Sequence, residues 1–235
     1  RELRDFTSIA SHDMQEPLRK IQTFGELLQE RSAANLDPQG VDYVNRMQNA
    51  ARRMSNLIHE LLVYSRVTTK ATQFDQVDLG QAARQALIDL EVQIEAAGAE
   101  VTVGELPVIE ANTVQMNQLM QNLISNAIKF HRHDQKPLVR VYSPQSPEDE
   151  ANGMVEIRVQ DNGIGIDEAF LERIFQPFQR LNVQTGTDGV GMGLTICRKI
   201  VEHHKGSIRA ESSPDSGTIF IVRLPRNYHE RLVTE

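Results

Sequence analysis

The sequence predicts an all-α helical hairpin that pairs into a dimeric four-helix bundle, followed by an α+β two-layer sandwich. Three observations predict this. Apolar residues early in the chain recur at alternating steps of four and three. A Thr/Lys/Gln-rich stretch from Val67 to Gln73 then breaks the rhythm, and beyond it short strand patterns are interleaved with capped helices. The boundaries that follow are 1–68 for the hairpin, 69–75 for a linker, 76–226 for the sandwich and 227–235 for a C-terminal tail.

In the first stripe, Leu3, Thr7, Ala10, Met14, Pro17, Ile21, Phe24 and Leu28 fall along one side of a helix reaching about Arg31. A turn-like stretch, Ser32 to Pro38, leads to a second stripe of Val44, Met47, Ala51, Met54, Ile58 and Leu61. One hairpin covers only one side of each stripe, so two copies are expected to complete a bundle. Asp78-Leu-Gly-Gln81 has the form of a capping box and opens a helix expected to run to about Ala97. Glu100 to Leu106 reads as a strand, and Asn112-Thr-Val-Gln115 opens a helix through Asn126 to about Phe130. Leu138–Tyr142 and Val155–Val159 read as paired strands around an acidic hairpin tip, Ser143 to Gly153. A helix from about Val190 to His204 precedes strands near Ser207–Glu211 and Thr218–Leu224, giving antiparallel strands under one helical layer.

Composition bounds the function. The chain has 235 residues, with 25 Lys and Arg against 32 Asp and Glu, a net charge of −7. That balance argues against nucleic acid as a partner, which basic surface would serve. A single cysteine excludes an internal disulfide framework and fits a reducing, cytoplasmic setting. No apolar run is long enough to span a bilayer. The chain opens Arg1-Glu2-Leu3, already in helical pattern, and reads as a fragment whose sensor domain lies upstream.

At 100° per residue, His12 lies about 170° from the mean direction of the first stripe, on the face of Glu16, Arg19 and Thr23. A lone surface histidine is ordinarily a solvated side chain. Here, however, Pro17 sits within the helix one turn later, where it removes a backbone hydrogen bond and costs about 3 kcal/mol or more. Asp13 is placed to accept the imidazole Nδ1–H, leaving the Nε2 lone pair as a nucleophile. The run His12-Asp-Met-Gln-Glu-Pro-Leu18 resembles the phosphoacceptor box of sensor histidine kinases, in the form found in many phytochrome-linked kinases. The resemblance implies that His12 takes the γ-phosphoryl group of ATP and that Asp13 serves as its general base.

Three later stretches carry chemistry. Asn122, Asn126 and Lys129 share one face of a helix whose other face is apolar; a carboxamide oxygen suits Mg²⁺ and Lys129 suits phosphate. Asp161-Asn-Gly163-Ile-Gly165-Ile-Asp167 follows a strand, so that a carboxylate at the strand end can accept from an amine such as adenine N6. An ordinary turn with Asp167 as a helix cap explains the same letters. Gly189-Val-Gly191-Met-Gly193-Leu194 runs into a helix and offers backbone N–H groups to polyphosphate; its spacing is neither the Rossmann nor the Walker pattern. A glycine hinge is the alternative.

In this order the stretches resemble the asparagine box and two glycine boxes of the GHKL superfamily, whose ATP sites are built on the Bergerat fold. Phe175-Gln-Pro-Phe178 resembles the kinases' phenylalanine box, and Gly217-Thr218 the last glycine box. The resemblance implies an ATP site of Asn122, Asn126, Lys129, Asp161, Gly163, Gly165, Gly189, Gly191, Gly193, Leu194 and Thr218. Within it, Asn126 holds Mg²⁺, Asp161 binds adenine and Gly189, Gly191 and Gly193 meet phosphates, with Gln176 to Asp188 as a lid. It further implies autophosphorylation of His12 in a homodimer, then transfer to an aspartate of a response-regulator receiver domain.

Two departures bear on the reaction. ATP-hydrolysing relatives place a glutamate base four residues before the metal-binding asparagine; Asn122 stands there and cannot take a proton from water. Many kinases carry Thr or Asn four residues after the histidine to support phosphatase activity; Glu16 stands there. Cys197 reads as a small core residue, and His203 and His204 as cations favouring a helix C-terminus. His131 and His133 follow the asparagine box, in position to touch phosphate.

Overall fold

The computed structural model describes residues 2–32, 36–67, 73–132, 134–144, 152–179, 190–214 and 216–228; of residues 2–13 and Ser32 it describes the backbone only. The chain divides into two compact units, residues 1–69 forming the body of the first, and 70–187 with 191–235 forming the second.

The first unit is a helical hairpin, α1 (Glu2–Ser32) and α2 (Pro38–Arg66). Helix α1 continues through Pro17. Asp37 caps α2 by accepting from Gly40 N–H at 2.7 Å, and Pro38 takes the first helical position, where no N–H is missed. The contact inside the hairpin is narrow. Leu18 and Gly25 on α1 face Val44, Gln48 and Ala51 on α2, all buried. A Cβ on Gly25 would meet Gln48 Cγ at 2.8 Å, so the glycine sets the helix separation. The predicted stripes are only partly covered: Val44 and Ala51 are buried in the hairpin, whereas Met14, Ile21, Phe24, Leu28, Met47, Met54 and Leu61 are all exposed. On α1, residues 18, 22, 25 and 29 close the hairpin, one step round the helix from the stripe.

The second unit is a two-layer sandwich. Strand β1 (Asp75–Asp78) and strand β3 (Val108–Ala111) form an antiparallel ribbon. Strands β2 (Glu100–Val103), β4 (Leu138–Tyr142), β5 (Met154–Asp161), β6 (Ser207–Ser212) and β7 (Thr218–Pro225) form one sheet in the order β2-β4-β5-β7-β6. The β4–β5 pairing is the predicted one. The sheet is mixed rather than antiparallel throughout, because β2 runs parallel to β4. Helices α3 (Leu79–Asp89), α5 (Thr113–Lys129) and α6 (Gly193–His203) pack on each other and on the sheet. Val139, Val141, Ile157 and Val159 meet the α5 side chains Leu119, Leu123 and Ile124 in a fully buried layer.

Three further expectations shift. The single helix from Asp78 to Ala97 is two: Leu90, at φ −102° and ψ 7°, separates α3 from α4 (Glu91–Ala97), which Gly98 ends in the left-handed region. The glycine-box helix begins at Gly193, not Val190, because Gly191 at φ 81° lies outside helical space. The ribbon strands β1 and β3 are additions, β1 occupying the end of the expected linker. No helix among the described residues is long and apolar enough to cross a membrane.

Candidate nucleotide site

Helix α5 supplies the first wall. Asn112 caps it, its Oδ1 accepting from Gln115 N–H at 3.0 Å. Burial of Leu119, Leu123, Ile124 and Ala127 leaves Asn122, Asn126 and Lys129 on the half-buried edge. Asn122 Nδ2 donates to the Gly193 carbonyl at 3.3 Å, and its Oδ1 accepts from Gln118 at 3.1 Å. Asn122 thus joins the asparagine box to the glycine box directly. The Asn126 carboxamide has no hydrogen-bond partner among the described residues, which leaves its oxygen to meet a hard cation; the fit to Mg²⁺ rests on that oxygen and on ligand phosphates. The Lys129 ammonium lies 5.3 Å from the Phe130 ring centroid.

The turn after β5 supplies the second wall. Asp161 Oδ1 accepts from Gly163 N–H at 2.8 Å and from Thr218 N–H at 3.1 Å. Burial pushes the Asp161 carboxyl up to about 6, against the lowering effect of those two N–H groups. Oδ2 receives no hydrogen bond among the described residues, so it can face a ligand donor. Two glycines hold this carboxylate in place. A Cβ on Gly163 would lie 2.4 Å from the Phe130 carbonyl, and one on Gly217, at φ 80°, would lie 2.1 Å from the Asp161 carbonyl. Phe130 O also accepts from Ile164 N–H at 3.1 Å, which fastens the end of α5 to the Asp161 turn. Thr218 is buried, its hydroxyl 3.0 Å from Ser212 Oγ; Ser212, which the sequence did not single out, also accepts from Ile166 N–H at 2.8 Å. Asp167 caps the short turn Glu168–Phe170 as the ordinary reading expected, and Gly165 sits at φ 71°.

The start of α6 supplies the third wall. Met192, at its N-cap, gives no side-chain cap, so the first N–H groups of the helix, Gly193 and Leu194 among them, keep their capacity for an anion. A Cβ on Gly193 would meet only Asn122 Cγ, at 3.9 Å. Packing by the described residues does not require glycine there. Phe178, exposed and at φ 61°, donates its N–H to the Gly191 carbonyl at 3.1 Å, while Phe175 is buried beneath the Arg198 guanidinium.

Some expectations lie outside the described residues: Gly189, His133, the lid from residue 180 onward, and the side chains of His12 and Asp13. The backbone of His12 lies in α1, and Glu16, Arg19 and Thr23, which share its predicted face, are exposed. Glu16 pairs with Lys20 at 2.7 Å on that face. His131 is not turned over to phosphate at Nδ1, which lies 2.8 Å from the Ile128 carbonyl. His204 is no dipole-stabilising cation: it is buried, and burial lowers its imidazole to about 4, so it is neutral. Its Nδ1–H donates to Ile200 O at 2.8 Å and Nε2 accepts from Asn112 N–H at 3.1 Å. Burial also lowers His203, with Lys199 adding to it. Cys197 is fully buried, its thiol pushed up to about 12 by desolvation, as a core residue should be.

Comparison with known proteins places this geometry. Residues 2–70 match the His Kinase A (phospho-acceptor) domain model, and residues 111–228 match the model of the histidine kinase-, DNA gyrase B- and HSP90-like ATPases. The phytochrome-like protein Cph1 of Synechocystis sp. is 39% identical over 224 residues, 95% of this chain and 29% of Cph1, so the chain spans under a third of that relative. The fold is shared with full-length ShkA in complex with AMPPNP, at a TM-score of 0.70 and 22% identity over 94% of this chain and 45% of that one. It is shared too with histidine kinase ThkA in complex with the response regulator protein TrrA, at 0.65 and 24% over 98% of this chain and 65% of that one. A hairpin with the phosphoacceptor signature, followed by a sandwich with the GHKL boxes in family order, places the chain in the histidine kinase family.

Proposed function

We propose that the chain is the catalytic core of a two-component sensor kinase, which transfers the γ-phosphoryl group of ATP to His12 and then to an aspartate of a response-regulator receiver domain. The observation that supports this best is a hydrogen-bonded chain linking four distant stretches: Asn122 to Gly193, Phe130 to Ile164, and Asp161 to Thr218. Each stretch is one of the boxes read from the sequence.

Asp161 Oδ2 accepts from the exocyclic amine of adenine. The N–H groups at the start of α6 meet phosphate oxygens, and Lys129 adds positive charge where phosphate charge gathers. Asn126 would hold Mg²⁺, which when bound neutralises the phosphates. The His12 Nε2 lone pair attacks the γ-phosphorus, the bond to the β,γ-bridging oxygen breaks, and ADP leaves with that electron pair. Asp13 takes the proton from Nδ1, leaving a phosphohistidine whose ring is neutral and whose phosphoryl group keeps its negative charge. Asn122 cannot activate water, and its amide is engaged on both sides, so hydrolysis is slow and the phosphoryl group waits for His12.

The exposed stripe of the hairpin argues for a homodimer, the ThkA–TrrA complex for a receiver-domain partner, and the need for ATP for a cytoplasmic site. Incubation with γ-labelled ATP under conditions that preserve acid-labile phosphate tests the reading. Label on His12, absent from His12→Ala, is the expected result. Free phosphate with unlabelled protein would point to an ATP-hydrolysing clamp, and absence of nucleotide binding to a docking module; either overturns the proposal.

A further inference from the structure

The two helices that flank the nucleotide run between the same two places. Helix α5 starts at Asn112 and ends beside Asp161; α6 starts at Gly193 and ends at His203. The start of α6 is tied to the middle of α5 by Asn122 and Gly193. At the opposite end two more ties occur, which the site chemistry does not use. His204 Nε2 accepts from the N–H of Asn112, the residue that caps α5, and His203 Nδ1 lies 3.0 Å from Gln115 Oε1. The result is a two-helix frame tied at both ends of α6, with the last turns of α5, Asn126 included, continuing beyond the Asn122 tie.

The chain enters the sandwich at this far end. Asn112 Nδ2 donates to the Gln73 carbonyl at 3.1 Å. Phe74 stacks on Tyr228, centroids 3.9 Å apart and planes at 12°, and also packs on His204 at 5.0 Å and on His203 at 5.9 Å. One aromatic cluster therefore holds the incoming segment, the outgoing C-terminal segment and both helix ends. Neighbouring backbone adds to it, with Glu110 N–H donating to Arg226 O at 2.8 Å. Asn112 thus bonds the incoming segment through Nδ2, α5 through Oδ1 and the end of α6 through its N–H, so a shift of the Phe74 segment bears on both helices at once.

We infer that Phe74 and His204 are positioning residues for the nucleotide site: they set the axial register of α5 against α6, and thereby the placement of Asn126 relative to the N–H groups of the glycine box. The inference rests on the ATP site proposed above. By reciprocity, nucleotide binding stabilises the Phe74 cluster by the same free energy with which the cluster favours nucleotide.

The experiment uses the full chain and AMPPNP with Mg²⁺, with calorimetric titration alongside thermal melting. His204→Leu removes the acceptor for Asn112 N–H, and His204→Gln restores one. Expected is a rise in Kd of about fivefold or more for His204→Leu, with recovery in His204→Gln. Phe74→Leu keeps apolar volume but loses the stacking, and is expected to raise Kd in the same direction. In a double-mutant cycle, Phe74→Leu and Asn122→Ala should be non-additive in Kd, because both loosen the same frame. A lowered Tm with wild-type Kd in the folded variants, or additive effects in the cycle, overturns the inference and leaves the ATP reading intact. If His204→Leu does not fold, Phe74→Leu and the cycle decide. If wild-type protein binds no AMPPNP, it is the ATP reading that fails.

Discussion

Asp161 is held at a cost the fold accepts, and that cost is measurable. Its carboxyl rises from the ordinary 3.8 to about 6 because burial disfavours the charge, and the Gly163 and Thr218 N–H groups offset only part of this. With the folded value above the unfolded one, the group's contribution to stability is fully present below about pH 4. It is lost as pH rises through about 6, the difference corresponding to at most about 3 kcal/mol. Asp161→Asn keeps an Oδ1 for both N–H groups and removes the buried charge. In the nucleotide-free protein it should melt higher than wild type at pH 8, the advantage shrinking as pH falls from 6 to 4. Its amide donates where Oδ2 would accept, so affinity for AMPPNP should fall at pH 8 although stability rises. A variant that loses both would mean that Asp161 is a packing residue. Gly217→Ala should differ from Asp161→Asn in losing stability together with affinity, because its Cβ would collide with the Asp161 carbonyl. For Asp13, a base of this kind typically contributes about 10²–10⁴-fold, so Asp13→Asn should slow labelling of His12 with AMPPNP affinity unchanged. Equal labelling rates would remove that role.

Elements differ in how far the sequence disclosed them, and the difference is one of locality. Helix α5 was legible because its cap, its apolar face and its polar edge lie within seventeen residues of one another. The β4–β5 pairing was legible because its strands are neighbours in the chain. The ribbon of β1 and β3 was not: each strand has four residues, and each finds its partner across two intervening helices. The parallel run of β2 beside β4 depends likewise on a crossover that no local periodicity records. At the candidate site, residue types singled out Asp161, Asn126 and the glycines, since each carries chemistry or a backbone conformation that few residues supply. Ser212, His204 and the double engagement of Asn122 were invisible because their roles lie in partners 46, 92 and 71 residues away. Cap chemistry, by contrast, is local and separable from the site. Asp78 accepts from Gly80 and Gln81 at the start of α3, and Asp78→Ala should cost about 1 kcal/mol. That loss should appear as a lower Tm of the sandwich with no change in AMPPNP affinity.

At the scale of the whole molecule, the hairpin cannot account for its own stripe. Seven large apolar side chains spaced for a seam stand exposed on α1 and α2, while the hairpin closes on a narrower set, Leu18 and Gly25 against Val44, Gln48 and Ala51, which takes only two members of the predicted stripes. Burial is worth about 25 cal/mol per Å² of apolar surface, and aliphatic or aromatic side chains left in water at this density favour association. A second copy offers the same stripe to the first, as a two-fold bundle requires. Phe24, at 67% exposure the most open of the seven, is the place to test this. Its ring is outside the buried set inside the hairpin and lies in a different compact unit from the sandwich, so Phe24→Glu should leave the melting of the sandwich and the affinity for AMPPNP where they are. In the dimer it would bury a carboxylate against its own symmetry mate or an apolar neighbour, and an unpaired buried charge is costly enough to shift the equilibrium. Sedimentation at micromolar concentration should find wild-type dimers and Phe24→Glu monomers. A dimer unchanged by the substitution would mean that the stripe is covered by something other than a second hairpin.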